Sequence, residues 1–146
     1  MPGYKTHLVG GIISWATLLL ALSSYCTSGS TAVEWLCCAC FGSLFPDIDI
    51  KSKGQQLFYR ILAVAFILML LNGRFVDIAM MSALALFPLT VRHRGIMHSF
   101  WFLLGLCAVI VFAVWCCAQH FALLVFFDLL FFLAGAGSHL FLDFRR

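Results

Sequence analysis

The chain has 146 residues, of which 64% are hydrophobic and 10% are charged, with a formal net charge of +3. A soluble domain of this length cannot bury so much apolar surface, because small folds leave much of their area exposed to water. The composition predicts that the main solvent is the lipid bilayer, and since no basic stripe with interleaved aromatic residues is present, no nucleic-acid partner is expected.

Six apolar segments follow one another along the chain, at or near the length that crosses a membrane. They cover residues 8–25, 32–45, 57–72, 75–90, 97–118 and 121–142. The second, third and fourth are short, so they either tilt, lie inside the bundle or thin the bilayer locally. A turn cluster at 27–30, Pro46 and Asn72-Gly73 break the segments. We predict an all-α, polytopic transmembrane helical bundle of about six spans, forming a single membrane-embedded domain over residues 1–146.

Two local patterns have a second interpretation. Lys5 before an apolar run is also a feature of a signal peptide, although we favour a retained first span. The seven cysteines are odd in number and lie in apolar runs, which is not typical of a disulfide framework. Cys37 and Cys40 have the CxxC spacing of redox and metal sites, but cysteine is also a common small residue in apolar helices.

The basic residues lie almost entirely on one predicted side of the membrane. With six spans, the side that holds the N-terminus also holds the loops 46–56 and 91–96 and the C-terminus. This side and its flanks carry eight of the nine Lys and Arg residues, and only Arg74 falls opposite. Positively charged loops are retained in the cytoplasm, so both termini are predicted to be cytoplasmic.

The polar residues that can carry chemistry fall on this same side. Four segments that are distant in sequence contribute His7, Asp47, Asp49, His93, His98, His139 and Asp143. His139 and Asp143 are four residues apart and therefore share a helix face. Mixed imidazole and carboxylate ligands suit zinc, manganese or iron, whereas carboxylates alone would suit magnesium or calcium. We predict a divalent metal site with these seven residues as ligand candidates, enough for two ions.

Other polar residues receive supporting roles. Arg94 either holds a phosphate oxygen in fork geometry or anchors the positive side of the membrane. Ser52 and Ser99 are candidates for hydrogen bonds to the metal ligands. Asp128 lies three turns before His139, deeper by about 16 Å at 1.5 Å per residue, and either pairs with another helix or belongs to the site.

Four motifs resemble, in this order, the YdjM-like family: Thr6-His7, PDxD at 46–49, HRGxxHS at 93–99 and SHLxLD at 138–143. The resemblance covers nearly the whole chain. Members of that family are described as inner-membrane, predicted metal-dependent hydrolases. The family is distantly similar to zinc-dependent phospholipase C and P1-type nucleases, which are helical and cleave phosphoesters with clustered zinc ions. The resemblance therefore implies an inner-membrane location, zinc as the favoured metal and a phosphoester as the substrate.

We therefore predict a membrane-bound metal-dependent hydrolase that acts on a phosphoester at the cytoplasmic face. A lipid headgroup is the economical substrate, because the site opens at the membrane interface. The candidate catalytic residues are Asp49, His98 and Arg94, and one of the carboxylates or histidines would act as general base. Two alternatives stay open: a metal ion or proton transporter with Asp128 on its path, and a structural or regulatory membrane protein that keeps a metal site without turnover.

Overall fold

The computed structural model of the protein describes residues 3–48, 53–71 and 98–144. In these ranges the helices are α1 (Tyr4–Ala21), α2 (Gly29–Leu44), α3 (Lys53–Leu71), α4 (Phe100–Cys117) and α5 (Ala122–Phe144). Short 3-10 turns occupy Ser23–Tyr25, Phe45–Asp47 and Gln119–Phe121. No strand occurs within these ranges, which confirms the all-α class. The predicted segment 75–90 lies outside the described residues.

The helix ends follow from local side-chain chemistry. Ser28 caps α2, since its hydroxyl accepts the backbone N–H of Thr31 at 3.2 Å. Ser99 caps α4 in the same way, and accepts the N–H of Phe102 at 3.4 Å. Pro46 follows the end of α2, as predicted from its missing backbone donor. These residues fix where the apolar helices stop and where the polar segments begin.

Two of the described helices have the length and hydropathy of a membrane span. Phe100–Cys117 has a mean hydropathy of 2.5 and Gln119–Phe144 one of 2.1. Only 11% of the first stretch and 22% of the second is buried inside the chain, so most of their apolar side chains face outward, as lipid contact requires. With only 16 residues, α2 is shorter than a helix that crosses the bilayer without tilting, which needs about 20 residues. The predicted number of about six spans is therefore not confirmed.

Among the helices that the structure describes, α2 and α5 make the most extensive contact. Gly42 of α2 faces the backbone of Phe132, and Gly135 of α5 in return faces the backbone of Ala39. A Cβ atom on either glycine would overlap the backbone opposite. Small residues permit this kind of approach between membrane helices. α1 packs on both α2 and α5, so three helices meet around the crossing.

An aromatic core fixes the same helices on the other side of the crossing. Trp35 stacks on Phe131 with ring centroids 4.6 Å apart, and both side chains are buried. Trp15 of α1 donates its indole N–H to the carbonyl of Ala32 at 2.9 Å, which ties α1 to α2. The core and the crossing together set the rotation of α5. As a result His139, one turn after Gly135, points at the end of α2.

Candidate metal centre

The polar side chains meet where α1 and α4 begin and where α2 and α5 end. The structure brings together five of the seven predicted ligand candidates: His7, Asp47, His98, His139 and Asp143. The His7 and His139 side chains are buried, with at most 2% exposed, whereas the other three are 13–21% exposed. Four sequence-distant elements therefore contribute to one partly open group.

Four of these side chains share a common centre. Asp47, His98, His139 and Asp143 each offer one ligand atom, and these atoms all lie within 4.8 Å of one another. The Nε2 of His139 is 3.6 Å from Oδ1 of Asp47 and 3.5 Å from Oδ2 of Asp143. The Nε2 of His98 is 3.7 Å and 3.9 Å from the same two oxygens. Two imidazole nitrogens thus face one pair of carboxylate oxygens.

These separations fit the spacing of ligands around a transition metal. A tetrahedral zinc ion with bonds of about 2.0–2.2 Å holds its ligand atoms about 3.3–3.6 Å apart. The four nitrogen–oxygen distances run from 3.5 to 3.9 Å, which is only slightly wider. They exceed the roughly 2.7–3.2 Å of an ordinary hydrogen bond. One ligand atom from each of the four side chains therefore faces a shared centre.

His139 is oriented as a metal-binding histidine would be. Its Nδ1 lies 2.7 Å from the backbone carbonyl of Ser43, one of the last carbonyls of α2. A carbonyl can only accept, so Nδ1 donates its proton, and in the neutral ring Nε2 carries the lone pair. Among the described residues, neither this Nε2 nor Oδ1 of Asp47 has a hydrogen-bond partner. Metal-ligating histidines are commonly fixed through the other ring nitrogen in this manner.

Asp47 contributes a negative charge to this group. Burial raises the pKa of this carboxyl, but the imidazoles of His139 and His98 lower it by more. The net pKa lies well below the ordinary value of an aspartate. Asp47 is therefore ionised at neutral pH, and its charge points at the centre that the four ligand atoms surround.

His7 lies beside this group and contacts two of its members. Its ring stacks on His139, with centroids 3.8 Å apart and an interplanar angle of 22°. Its Nε2 is 3.7 Å from Oδ1 of Asp143, whereas His139 and His98 face Oδ2 of the same carboxylate. Asp143 therefore presents one oxygen to His7 and the other to the group of four.

A cavity of about 550 Å³ opens on one side of the group. His98 and Asp143 line it, together with Gly137 and apolar side chains of α4 and α5. The rings of His7 and His139 are buried and do not line this cavity. A small substrate can therefore reach the group from the His98 and Asp143 side.

The remaining predicted residues do not join the group in the described part of the chain. Asp49, Ser52, His93 and Arg94 lie outside the described residues, and their roles stay predictions. Ser99 caps α4, as described above. Asp128 is apart from the group: its electrostatic neighbours are Glu34 and Cys38 of α2, eleven residues along α5 from His139.

The contact that orients His139, with the backbone carbonyl of Ser43, was not predicted from the sequence. The carbonyl of Ser43 carries no signal of its own, because any residue at that place supplies the same group. The close crossing did have a signal, which was the set of small residues Ala39, Gly42 and Ser43 on α2 and the small run 134–137 before His139. Such spacing permits close helix contact but does not say which helices meet.

A family profile described as YdjM inner membrane protein matches residues 1–145 of the chain. The matched range includes every residue of the group described above. No curated protein and no solved structure matches the chain.

Proposed function

Since the chain belongs to the YdjM inner membrane protein family, we propose that it is a membrane-bound, metal-dependent hydrolase that cleaves a phosphoester. One observation carries this proposal: two carboxylates and two imidazoles surround one point beside an open cavity. Mixed nitrogen and oxygen donors of this kind favour zinc over magnesium or calcium. The family and the two apolar helices together support a location in the membrane.

Each side chain of the group has a distinct part in this proposal. His139 is the buried member, whose ring the Ser43 carbonyl holds in place, and Asp47 supplies an ionised carboxylate beside it. His98 and Asp143 face the cavity, through which water and substrate would arrive. A divalent ion held by the four would lower the pKa of a bound water and offset charge on a phosphoryl oxygen. Burial of His7 and His139 limits the solvent around these two rings, which strengthens their electrostatic interactions.

Hydrolysis also requires a group that accepts the proton of the attacking water and a group that binds the charged phosphate. His98 lies on the cavity side and, with Asp49, remains a candidate for general base. Arg94 remains the candidate that holds a phosphate oxygen. His7 lies beside the second oxygen of Asp143. If the protein held two ions, His7 would therefore be a ligand candidate for the second ion.

We place the site at the cytoplasmic face of the inner membrane, with both termini on that side. The support is the distribution of the basic residues, eight of nine of which fall on the predicted N-terminal side and its flanks. A cytoplasmic reporter fused after Arg146 should be active, and a periplasmic reporter at the same position should be inactive. The opposite pattern would reverse the side of the site.

The central experiment measures metal and turnover in the same sample. Detergent-purified protein should contain at least one equivalent of transition metal and should hydrolyse a water-soluble nitrophenyl phosphodiester. Asp47→Asn should lose both, because the substitution removes the ionised ligand. Glu34→Gln is the control, since Glu34 is an exposed carboxylate far along α2. Bound metal without hydrolysis of any phosphoester would reject the enzyme, and hydrolysis that survives Asp47→Asn would reject this site.

A further inference from the structure

Next to the four candidate ligands Asp47, His98, His139 and Asp143, here called the metal group, a groove runs along the surface of the helices. The cavity that His98 and Asp143 line shares Phe100 and Gly137 with a second cavity of about 540 Å³. This second cavity lies between α1, α4 and α5, and its walls are almost entirely apolar. Because they share these two lining residues, the two cavities adjoin.

The apolar lining continues between α4 and α5. A third cavity of about 590 Å³ shares Leu104, Leu130 and Leu133 with the second. It ends at Trp115, near the far end of α4. From Phe100 to Trp115 the helix rises about 22 Å at 1.5 Å per residue. The groove is therefore longer than half of a hydrocarbon core that is about 30 Å thick.

The chemistry of the groove changes along its length. Its first part meets the imidazole of His98 and the carboxylate of Asp143. The second part contains two hydroxyls, of Ser14 and Thr17, and both donate to carbonyls of their own helix at 2.9 Å. The third part is lined by aliphatic and aromatic side chains with Cys107. A matching ligand has an ionic group at one end and a long hydrocarbon chain.

We infer that this groove seats the hydrocarbon chain of a membrane phospholipid whose phosphoester reaches the cavity at His98 and Asp143. The inference rests on the proposed function and names its substrate class. Two features favour this occupant: the groove adjoins the metal group, and α4 and α5, which form most of it, have the hydropathy of membrane spans and expose most of their apolar surface. Bilayer hydrocarbon is as apolar as the groove, so the groove adds little hydrophobic free energy. Its contribution is to position the substrate, because a hydrocarbon chain bound in the groove holds the phosphoester against the metal group.

Three substitutions separate the parts of the groove. Gly137 lies where the first two cavities join, and a Cβ there meets only Phe100, at 3.8 Å. Gly137→Leu should therefore fill the junction without displacing backbone. Ala108 lines the third cavity, and Ala108→Phe should shorten the groove at its far end. Gly105→Leu is the matched control, since Gly105 is exposed, lines none of the three cavities and has open space around a Cβ.

The measurement compares dipalmitoyl and dioctanoyl phospholipids in mixed micelles with the soluble nitrophenyl phosphodiester. Gly137→Leu should lower the rate on both lipids relative to the soluble ester by about tenfold or more, since misplacing a reacting group by about 1 Å can cost about 100-fold. Ala108→Phe should lower the ratio of the dipalmitoyl rate to the dioctanoyl rate by about tenfold. Gly105→Leu should leave both ratios unchanged.

Failure of the groove and failure of the hydrolase give different results. Unchanged ratios in both groove variants, with the soluble ester still hydrolysed, would overturn the groove and leave the proposed function standing. If no phosphoester is hydrolysed, the proposed function fails, and a spin-labelled phospholipid bound to the purified protein tests the groove. Immobilised label that is lost in Ala108→Phe and Gly137→Leu but kept in Gly105→Leu supports the groove, and equal immobilisation in all three overturns it.

Discussion

Two aspartates of α5 lie in opposite surroundings: Asp143 in the last turn of the helix and Asp128 near its start. At one end the carboxylate of Asp143 faces imidazoles from α1, from α5 itself and from the segment before α4. At the other end Asp128 has Glu34 and Cys38 of α2 as electrostatic neighbours. A carboxylate among imidazoles offers a cation a set of ligands, whereas a carboxylate beside another acid experiences repulsion. Convergence of several elements, rather than a polar residue in an apolar helix, is what distinguishes the candidate metal centre.

The helix packing differs between the same two ends. Near Asp128 the rings of Trp35, Phe127 and Phe131 fill the space between α2 and α5. Near the metal centre the two helices touch through the glycines of their crossing. Backbone contact brings the last carbonyls of α2 within reach of α5 side chains, and His139 uses one of them. The contact between His139 and the end of α2 therefore accompanies the close crossing, whereas aromatic rings separate the helices near Asp128.

The largest effect should come from Gly135→Ala. Its Cβ would overlap the carbonyl of Ala39, so the helices must separate, at a cost of about 3 kcal/mol or more. Gly137→Ala is the matched control, because its Cβ makes only an ordinary van der Waals contact at 3.8 Å. This substitution should stabilise the helix by about 1 kcal/mol through the higher helix propensity of alanine. Thermal unfolding and metal content of the purified proteins test the pair. Equal melting temperatures and equal metal would show that the crossing does not support the centre.

His139→Gln should weaken metal binding by more than about 100-fold while the fold persists. Even groups that only support a ligand are typically worth about 10- to 100-fold in affinity, and His139 is both buried and a proposed ligand. His120→Gln is the same change at an exposed position in the turn before α5, and its affinity should equal that of the parent protein. Competition with a chromophoric chelator measures both constants. Equal affinities in the two variants would remove His139 from the ligand set.

Asp143→Asn and Asp128→Asn turn the comparison of the two ends into a test of function. In a hydrolase, Asp143→Asn should abolish phosphodiester cleavage, and Asp128→Asn should retain most of it. In a transporter the ranking reverses, because a deep carboxylate is where a crossing cation would be compensated. Turnover and ion flux in proteoliposomes should therefore be measured on the same two variants. Ion flux that requires Asp128, without any hydrolysis, would establish the transporter instead.

The convergence of the polar residues could be predicted because it depends only on counting apolar segments. An even number of crossings returns the chain to the same side, so His7, Asp47, His98 and His139 fall together even where segment boundaries are uncertain. The structure places these four side chains in one group. The number of spans was harder to predict, since length and hydropathy do not distinguish a crossing helix from a short buried one such as α2.

The fine geometry of the centre was not predictable from the sequence. Helix periodicity places His139 and Asp143 on one face, but it cannot identify the carbonyl of Ser43 as the group that fixes the ring. The same periodicity put Asp128 on the face of His139, and only the packing shows that its neighbours lie on α2 instead. Distances between helices are set by pairs of small residues, and a single sequence does not reveal which residues pair.

The smallest effect should come from His7, which touches the metal centre from the side. His7→Phe keeps an aromatic ring for the stack on His139 but removes the nitrogen that faces Asp143, 3.7 Å away. We expect metal affinity to fall by about tenfold, the lower end of the range for groups that support a ligand. His7→Ala removes the stack as well and should cost more, because a buried cavity then forms beside His139. Chelator competition on both variants separates the two contributions. If His7→Phe instead lowers the stoichiometry by one full equivalent of metal, then His7 is a ligand of a second ion, and Asp143 connects two metal positions.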